Sequence, residues 1–287
     1  MKKLLLSLVC LVLLCGCGTS SNGYEVKVSD ENATLLTVDG QKITKQGYFE
    51  HLLNNYGAST LVSEALVKIA DTEVKDEKAL QELVDDRVEI YEYYADGDLD
   101  EFAKGMGYAS KDEFIEDALL PDAKQELLRN SYINANFDSI IAEYQVARLK
   151  VITFAKESDA LAVIEKVDSL DKFNDQMKVY DDDSKDYDIV TKNTNLDSEL
   201  VKKLAEFNKL TTDGVHPTAI KLSDAMYAVV YIYDTARSDH KEYVDQLTTE
   251  TELQEKIESH YLKKYGFNVY DQKLKNAVKA LSSSYVE

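Results

Sequence analysis

Apolar and polar positions change their spacing three times along this chain. Thr34 to Ile43 (TLLTVDGQKI) sets two short apolar runs around Asp39-Gly40, a dipeptide of tight hairpin turns. Thr44 follows as an N-cap, and the spacing predicts a helix to about Tyr56 with Tyr48, Leu52 and Leu53 on one face. From Ser59 to Tyr144 the period is helical throughout. Leu61, Val62, Ala65, Leu66, Ile69 and Ala70 make one stripe; Leu80, Leu83, Val84, Val88 and Tyr91 make another. Gly97, Gly105 and Gly107 are breaks. Ser110 three residues before Glu113 is a capping-box pattern, and Pro121 suits a first helical turn. A long helix continues through Leu127, Leu128, Ile133, Phe137, Ile140 and Ile141.

The texture changes at Val146. VARLKVITF is rich in branched residues and reads as a strand. A helix carrying Ala160, Ala162, Val163, Ile164 and Val167 follows, then a second from Phe173 to Tyr180. Asp181 to Asp188 reads as an acidic loop, Ile189 and Val190 as a strand, and Leu196 to Phe207 as a helix. Gly214 to Pro217 is a turn, and Ala225 to Tyr233 (AMYAVVYIY) is the most strand-like segment. From Lys241 the pattern is helical again, with stripes at Leu253, Ile257 and Tyr261 and at Leu274, Val278 and Leu281. The order predicts an α+β chain: helices over 34–145, a β-α unit over 146–236, and a helical segment over 237–287 that packs back on the first.

The first residues carry an address. Lys2 and Lys3 precede an apolar run, Leu4 to Leu14, broken only by Ser7. Such a run is a secretory signal and is too short to span a bilayer, which takes roughly 20 residues. Leu14-Cys15-Gly16-Cys17 resembles the lipobox of bacterial lipoproteins. That resemblance implies cleavage after residue 16, acyl chains such as palmitate on Cys17, and anchoring at the outer face of the cell membrane. Residues 17–33, small and polar and then charged, read as the lipidated cysteine and a flexible tether.

Charge and cysteine content narrow the chemistry. With 33 basic and 53 acidic residues the formal charge is −20, and it is −22 once Lys2 and Lys3 are removed. A chain this acidic is repelled by nucleic acid and by anionic lipid. All three cysteines, Cys10, Cys15 and Cys17, lie in or at the signal, so the exported part has no thiol for a disulfide, a nucleophile or a zinc site. His51, His216, His240 and His260 form no His-Glu-x-x-His motif. His260 reads as an exposed helix residue and His216, before Pro217, as a turn residue. The Asp181 to Asp188 acids lack the glycine and the twelfth-position acid of a calcium loop. No metal and no cofactor is expected. The 19 tyrosines suit half-buried surfaces, and the Tyr91, Tyr93, Tyr94 and Tyr132 helix faces are candidates for exposed apolar surface.

The order of elements resembles the PrsA-type foldase lipoproteins and the SurA-type chaperones. Three strings carry the likeness: LLTVDGQKITKQGYFEHL, FAKGMGYASKDEFIEDAL (102–119) and KKYGFNVYDQKLKNAVKAL (263–281). The resemblance implies a helical chaperone domain built from both flanks with an inserted parvulin domain, a prolyl isomerase, at 146–236. The isomerase chemistry does not carry over. The family's first-strand histidine falls at Leu149, and its last-strand histidine falls at Ala228, after Tyr227. The Met and Phe of the proline pocket fall near Leu196 and Leu200. The Gly-Gly pair is replaced by Asp186 and Tyr187, and only Asp188 keeps an acidic type.

Isomerisation requires lowering a barrier of about 18–20 kcal/mol, and replacing two imidazoles by Leu and Ala removes the donors for that work. The sequence therefore reads as an anchored extracytoplasmic chaperone for unfolded or partly folded secreted polypeptides, with weak or no isomerase activity. It has no nucleic-acid partner, and a homodimer is left open. Two other readings stand beside it: an active parvulin-type isomerase with a different catalytic set, and a surface scaffold or solute-binding lipoprotein.

Overall fold

The computed structural model describes residues 28–286. The signal segment and Cys17, the expected lipid site, lie outside the described residues. The architecture is α+β, mostly helical, with a two-stranded hairpin and a five-stranded antiparallel sheet. Among the described residues the chain divides into two compact units, one formed by residues 28–65 with 262–286 and the other by Leu66–Tyr261.

The first unit opens with a hairpin, β1 (Thr34–Val38) and β2 (Gln41–Thr44). Asp39 and Gly40 both take left-handed φ, 46° and 75°. That is the primed turn whose twist matches paired strands, and Asn, Asp and Gly tolerate it best. Thr44 Oγ1 accepts the Gly47 amide at 3.1 Å and starts α1 (Lys45–Leu52). The helix widens into a π turn, Leu53–Gly57, and continues as α2 (Ala58–Glu73). The widening coincides with a close approach. A Cβ on Gly57 would lie 2.8 Å from Leu274 Cδ2, on α13 (Gln272–Leu281), and 3.2 Å from Leu53 Cδ2, so a larger residue requires those side-chain ends to shift.

The second unit carries α3 (Glu77–Tyr94), α4 (Leu99–Gly105), α5 (Lys111–Phe114), α6 (Leu120–Ala135) and α7 (Phe137–Tyr144). Each of the first three starts at a side-chain cap: Asp76, Asp98 and Ser110 accept from the amides of Ala79, Glu101 and Glu113. A helix leaves its first amides unpaired, and such caps contribute about 1 kcal/mol each. The Glu113 carboxylate reaches back to the Ala109 amide rather than to Ser110's own, a capping box one residue wider than the pattern implies. Pro121 sits in the first turn of α6. Leu99, Ala103, Phe114 and Leu119 form a buried cluster that Tyr91 joins edge-on, 5.2 Å from Phe114. Arg87 ties α3 to α6 through Asp122 and Glu126.

The sheet follows. β3 (Ala147–Phe154) leads through α8 (Glu157–Ile164) and α9 (Leu170–Val179) to β4 (Ser184–Val190). Next come α10 (Ser198–Phe207), β5 (Gly214–Val215), β6 (Ile220–Lys221) and β7 (Tyr227–Ile232). The strand order is β4-β3-β7-β5, with β6 also on β7, and every pairing is antiparallel. Alternation along the strands makes two cores. Leu149, Val151, Ala228, Val230 and Ile232 face Leu200, Leu204 and Phe207 of α10. Ile152, Phe154, Val229 and Tyr231 face Ala160, Val163 and Phe173 of α8 and α9. β7 is packed on both faces and paired on both sides, hence its unbroken apolar run.

Three segments differ from the sequence reading. The long helix expected through Ile141 is broken at Asn136, whose non-helical backbone (φ −121°, ψ 19°) ends α6 and starts α7. The acidic stretch expected as a loop is a short 3-10 turn, Asp181–Asp183, and then strand: β4 includes Ser184 to Asp188. It is an edge strand whose polar side chains meet Arg148 and Lys150 of β3, so its polarity records its partners rather than a loop. Gly214 and Val215, expected in a turn, pair with Ile232 and Tyr231. The chain closes with α11 (His240–Thr248), α12 (Thr251–Lys264) and α13 (Gln272–Leu281). In the second unit α11 packs on α6; in the first, α13 packs against the π turn at Leu53–Gly57.

Candidate functional site

The positions singled out in the sheet unit fall on two opposite faces. Leu149, Leu200 and Ala228 lie together in one core, each buried, with Leu196 packed at its margin. Tyr187 and Met226 also pack there. This is an apolar floor roofed by α10, and the three buried positions carry no donor or acceptor side chain. Tyr227 faces the other way, into the core under α8 and α9.

Asp188 departs from the apolar floor for a local reason. Its Cα is in register with Leu149, but the ladder slips between Leu149 and Lys150, and Asp188 takes a left-handed φ of 54°. A bulge of this kind re-aims a side chain. The carboxylate therefore meets Arg148 and lies 3.4 Å from the Tyr233 hydroxyl. Asp188, Leu149 and Ala228 do not share a pocket.

That re-aiming completes a polar network the sequence reading did not find. Arg148, 13% exposed, contacts Asp188 on β4, Asp234 after β7 and Glu242 on α11. Its guanidinium lies over the rings of Tyr233 and Tyr243, 5.5 and 5.7 Å from their centroids. Lys150 pairs with Asp186, which also accepts the Tyr233 hydroxyl at 3.0 Å. Tyr243 donates to the Asp234 carbonyl at 3.1 Å. Burial alone would lower the Arg148 pKa, but hydrogen bonds to Asp188 and Glu242 outweigh it and hold it above the ordinary value. Burial would likewise raise Asp186 and Asp234. Lys150 outweighs it for the first and Ser238 for the second, so both carboxyls titrate below the usual aspartate range. Burial first, and then Asp186, raises the Tyr233 phenol. All these groups are engaged with one another, and the network clamps β4, β3, the end of β7 and α11 together. The signal in the sequence was the alternation of Arg148 and Lys150 on the strand face opposite Leu149. Their partners lie 36 to 94 residues away.

A second polar link joins the same parts. Glu250, buried between α11 and α12, accepts Thr191 Oγ1 at 2.5 Å and Asn193 Nδ2 at 2.9 Å. His216 is buried against Phe207, with Nδ1 2.8 Å from the Thr218 carbonyl and Nε2 3.3 Å from Glu206. It shapes the turn at Pro217. His260 is exposed and stacks on Tyr132 at 5.0 Å. No group of three or more His, Cys, Asp or Glu among the described residues could hold a metal.

The tyrosine faces divide. Tyr91 is drawn into the Phe114 cluster, and Tyr132 is half-buried beside Tyr261. Tyr93 and Tyr94, at the end of α3, are 81% and 70% exposed and lie edge-on at 5.8 Å. Ile90, one turn before Tyr94, is 53% exposed. The three residues share a helix face, because positions three and four apart are neighbours. Near α7, a groove of about 620 Å³ is lined by Asn134, Phe137, Ser139, Arg237 and His240. Its histidine stacks on Phe137 at 4.1 Å and bonds Asn134 at 2.7 Å.

No family model matches the chain, and no curated protein matches it. Solved structures do. A peptidylprolyl isomerase, PrsA, from Bacillus cereus is 17% identical, with 88% of this chain and 99% of that chain covered and a TM-score of 0.47. PrsA from Bacillus subtilis is 20% identical, with 87% and 99% covered and a TM-score of 0.41. A structure of SurA-like chaperones from Campylobacter jejuni is 16% identical, with 85% and 98% covered and a TM-score of 0.24. Over most of its length the chain is thus similar to PrsA foldases and SurA-like chaperones.

Proposed function

We propose that this chain is an extracytoplasmic chaperone that holds unfolded polypeptides, anchored through Cys17 to the outer face of the cell membrane, and that its sheet unit is a scaffold without prolyl isomerase activity. The observation that carries the reading is the apolar face at the end of α3, where Ile90, Tyr93 and Tyr94 stand in water. A soluble monomer hides most of its large side chains in groups, and an exposed group is a binding surface. Tyrosine binds extended chains well: its ring covers apolar area while its hydroxyl bonds exposed backbone. The negative charge of the chain keeps such a surface from aggregating and attracts basic clients.

The scaffold reading is supported by the residues at the pocket positions. Twisting an amide about its C–N bond needs donors aimed at it, and Leu149, Leu200 and Ala228 offer none. The acid that could contribute, Asp188, is on the opposite face in the grip of Arg148.

The deciding experiment dilutes an unfolded client into buffer with and without the chain from Gly18 onward and follows light scattering. Suppression near equimolar ratio is expected, and it should weaken at least severalfold in the variant carrying Tyr93→Ser and Tyr94→Ser. Scattering that is unchanged by a folded wild-type chain would overturn the reading. Accelerated cis–trans exchange of a Pro-containing peptide, abolished by Asp188→Ala, would overturn the scaffold assignment.

A further inference from the structure

The groove beside α7 takes no part in the client face at Ile90, Tyr93 and Tyr94. It lies wholly within the second unit, walled by the junction of α6 and α7 and by the segment that leads from β7 into α11. Its volume of about 620 Å³ falls within the range of about 300–1,000 Å³ for sites that hold small organic molecules. An inorganic ion would leave most of it to water.

The lining mixes charges, donors and acceptors. Arg237 brings a positive charge and Asp138 a negative one, and neither forms an ion pair among the described residues. Arg237 holds a left-handed φ of 51°, which costs an ordinary side chain about 1–3 kcal/mol and persists only where its surroundings impose it. Its guanidinium donates to the Asn208 carbonyl at 2.9 Å, with further donors of the fork left over. Asn136 spends Nδ2 on the Tyr132 carbonyl at 2.8 Å and keeps Oδ1 open. Asn134 spends Oδ1 on His240 Nε2 at 2.7 Å and keeps Nδ2 open. His240 is exposed and lies on Phe137 at 4.1 Å by one face, so its other face and Nδ1 are open as well.

We infer that this groove binds a short neutral saccharide. A sugar hydroxyl both donates and accepts, so it calls for open acceptors beside open donors. Asp138 and Asn136 supply the first; Asn134 and Arg237 supply the second. The apolar C–H face of a sugar ring calls for a flat ring with a polar edge, and the imidazole held on Phe137 is one. The opposite charges of Arg237 and Asp138 offset each other, which disfavours a charged ligand of either sign. An extended polypeptide is recognised differently, by adding a strand to an open sheet edge and seating side chains in apolar pockets. No strand lines this groove, and its apolar lining is Phe137 with two alanines.

The test titrates the chain from Gly18 onward with N,N′-diacetylchitobiose and with maltotriose, read by calorimetry and by saturation transfer to the sugar protons. A Kd of about 1 mM or tighter is expected for at least one of them. Asp138→Ala and His240→Ala, both at exposed positions, should each weaken it at least fivefold while the thermal transition stays in place. The variant carrying Tyr93→Ser and Tyr94→Ser should bind the sugar as the wild type does.

No binding of either sugar at concentrations tenfold above that Kd overturns the inference, as does binding that both groove variants leave unchanged. Inorganic phosphate that displaces the sugar at equal concentration makes the groove an anion site and overturns the assignment. A neutral unstructured peptide that displaces it at equal concentration gives the groove to clients and overturns it too. The holding activity is separable: sugar binding without suppression of client aggregation would leave this inference standing and refute the proposed function, and suppression without sugar binding would do the reverse.

Discussion

Replacing Arg148 by methionine tests whether the network around it holds the second unit together. Methionine keeps most of the apolar stem and removes the charge. Asp188 and Glu242 are 60% and 51% exposed, and pairs with such carboxylates contribute about 0–1 kcal/mol each. Asp234 is only 12% exposed. It keeps the Ser238 amide and hydroxyl at 2.8 and 2.5 Å, so it is not orphaned, and losing the guanidinium should cost it about 1–2 kcal/mol. The two ring contacts add about 0.5–1 kcal/mol each. The sum is about 2–6 kcal/mol, centred near 4, which for a unit of this size lowers Tm by roughly 8–16 °C at the centre of that range. Urea unfolding and a thermal scan at pH 7, followed by circular dichroism, measure both. Arg148→Lys, with one point charge for a three-way fork, should fall between. A loss below about 1 kcal/mol for Arg148→Met would refute the argument: the contacts would then be surface pairs of no consequence, and α11 would be held by its apolar face alone.

The same groups set an acid limit. Asp186 and Asp234 titrate lower folded than unfolded, so the stability they contribute is complete above the ordinary aspartate value of about 4 and is lost as pH falls through their folded values. Chemical denaturation between pH 7 and pH 3 should show that fall, and Lys150→Met should flatten the part that Asp186 contributes. Leu149→His puts an imidazole into a site with no polar partner and should cost about 2–4 kcal/mol by denaturation without producing isomerase activity. Gly57→Leu crowds the ends of Leu53 and Leu274 and should destabilise the first unit by about 1–3 kcal/mol, visible as early hydrogen exchange in residues 272–281.

Local chemistry in the sequence made most of the elements legible. Asp39-Gly40 gave the hairpin, Thr44 and Ser110 gave helix starts, and the branched runs at 146–154 and 225–233 gave the two central strands. Long-range partners were not legible. β4 looked like a loop because Lys185, Asp186 and Asp188 are polar, and their polarity makes sense only beside Arg148 and Lys150 of β3. The face to which Asp188 turns could not be read either, since it depends on a one-residue slip in pairing. Leu149 and Ala228 were legible as apolar; that they share one core with Leu200 required the fold.

The contact between Gly57 and Leu274 joins positions separated by more than 200 residues of chain. A ribosome delivers the hairpin first and α13 last. The first unit therefore waits, with its π turn uncovered, through the synthesis of everything between. By contrast the second unit, Leu66–Tyr261, is continuous in sequence and can close as soon as its own last helix is made. Folding in this molecule runs from the inside of the sequence outward, and the part made first is the part finished last.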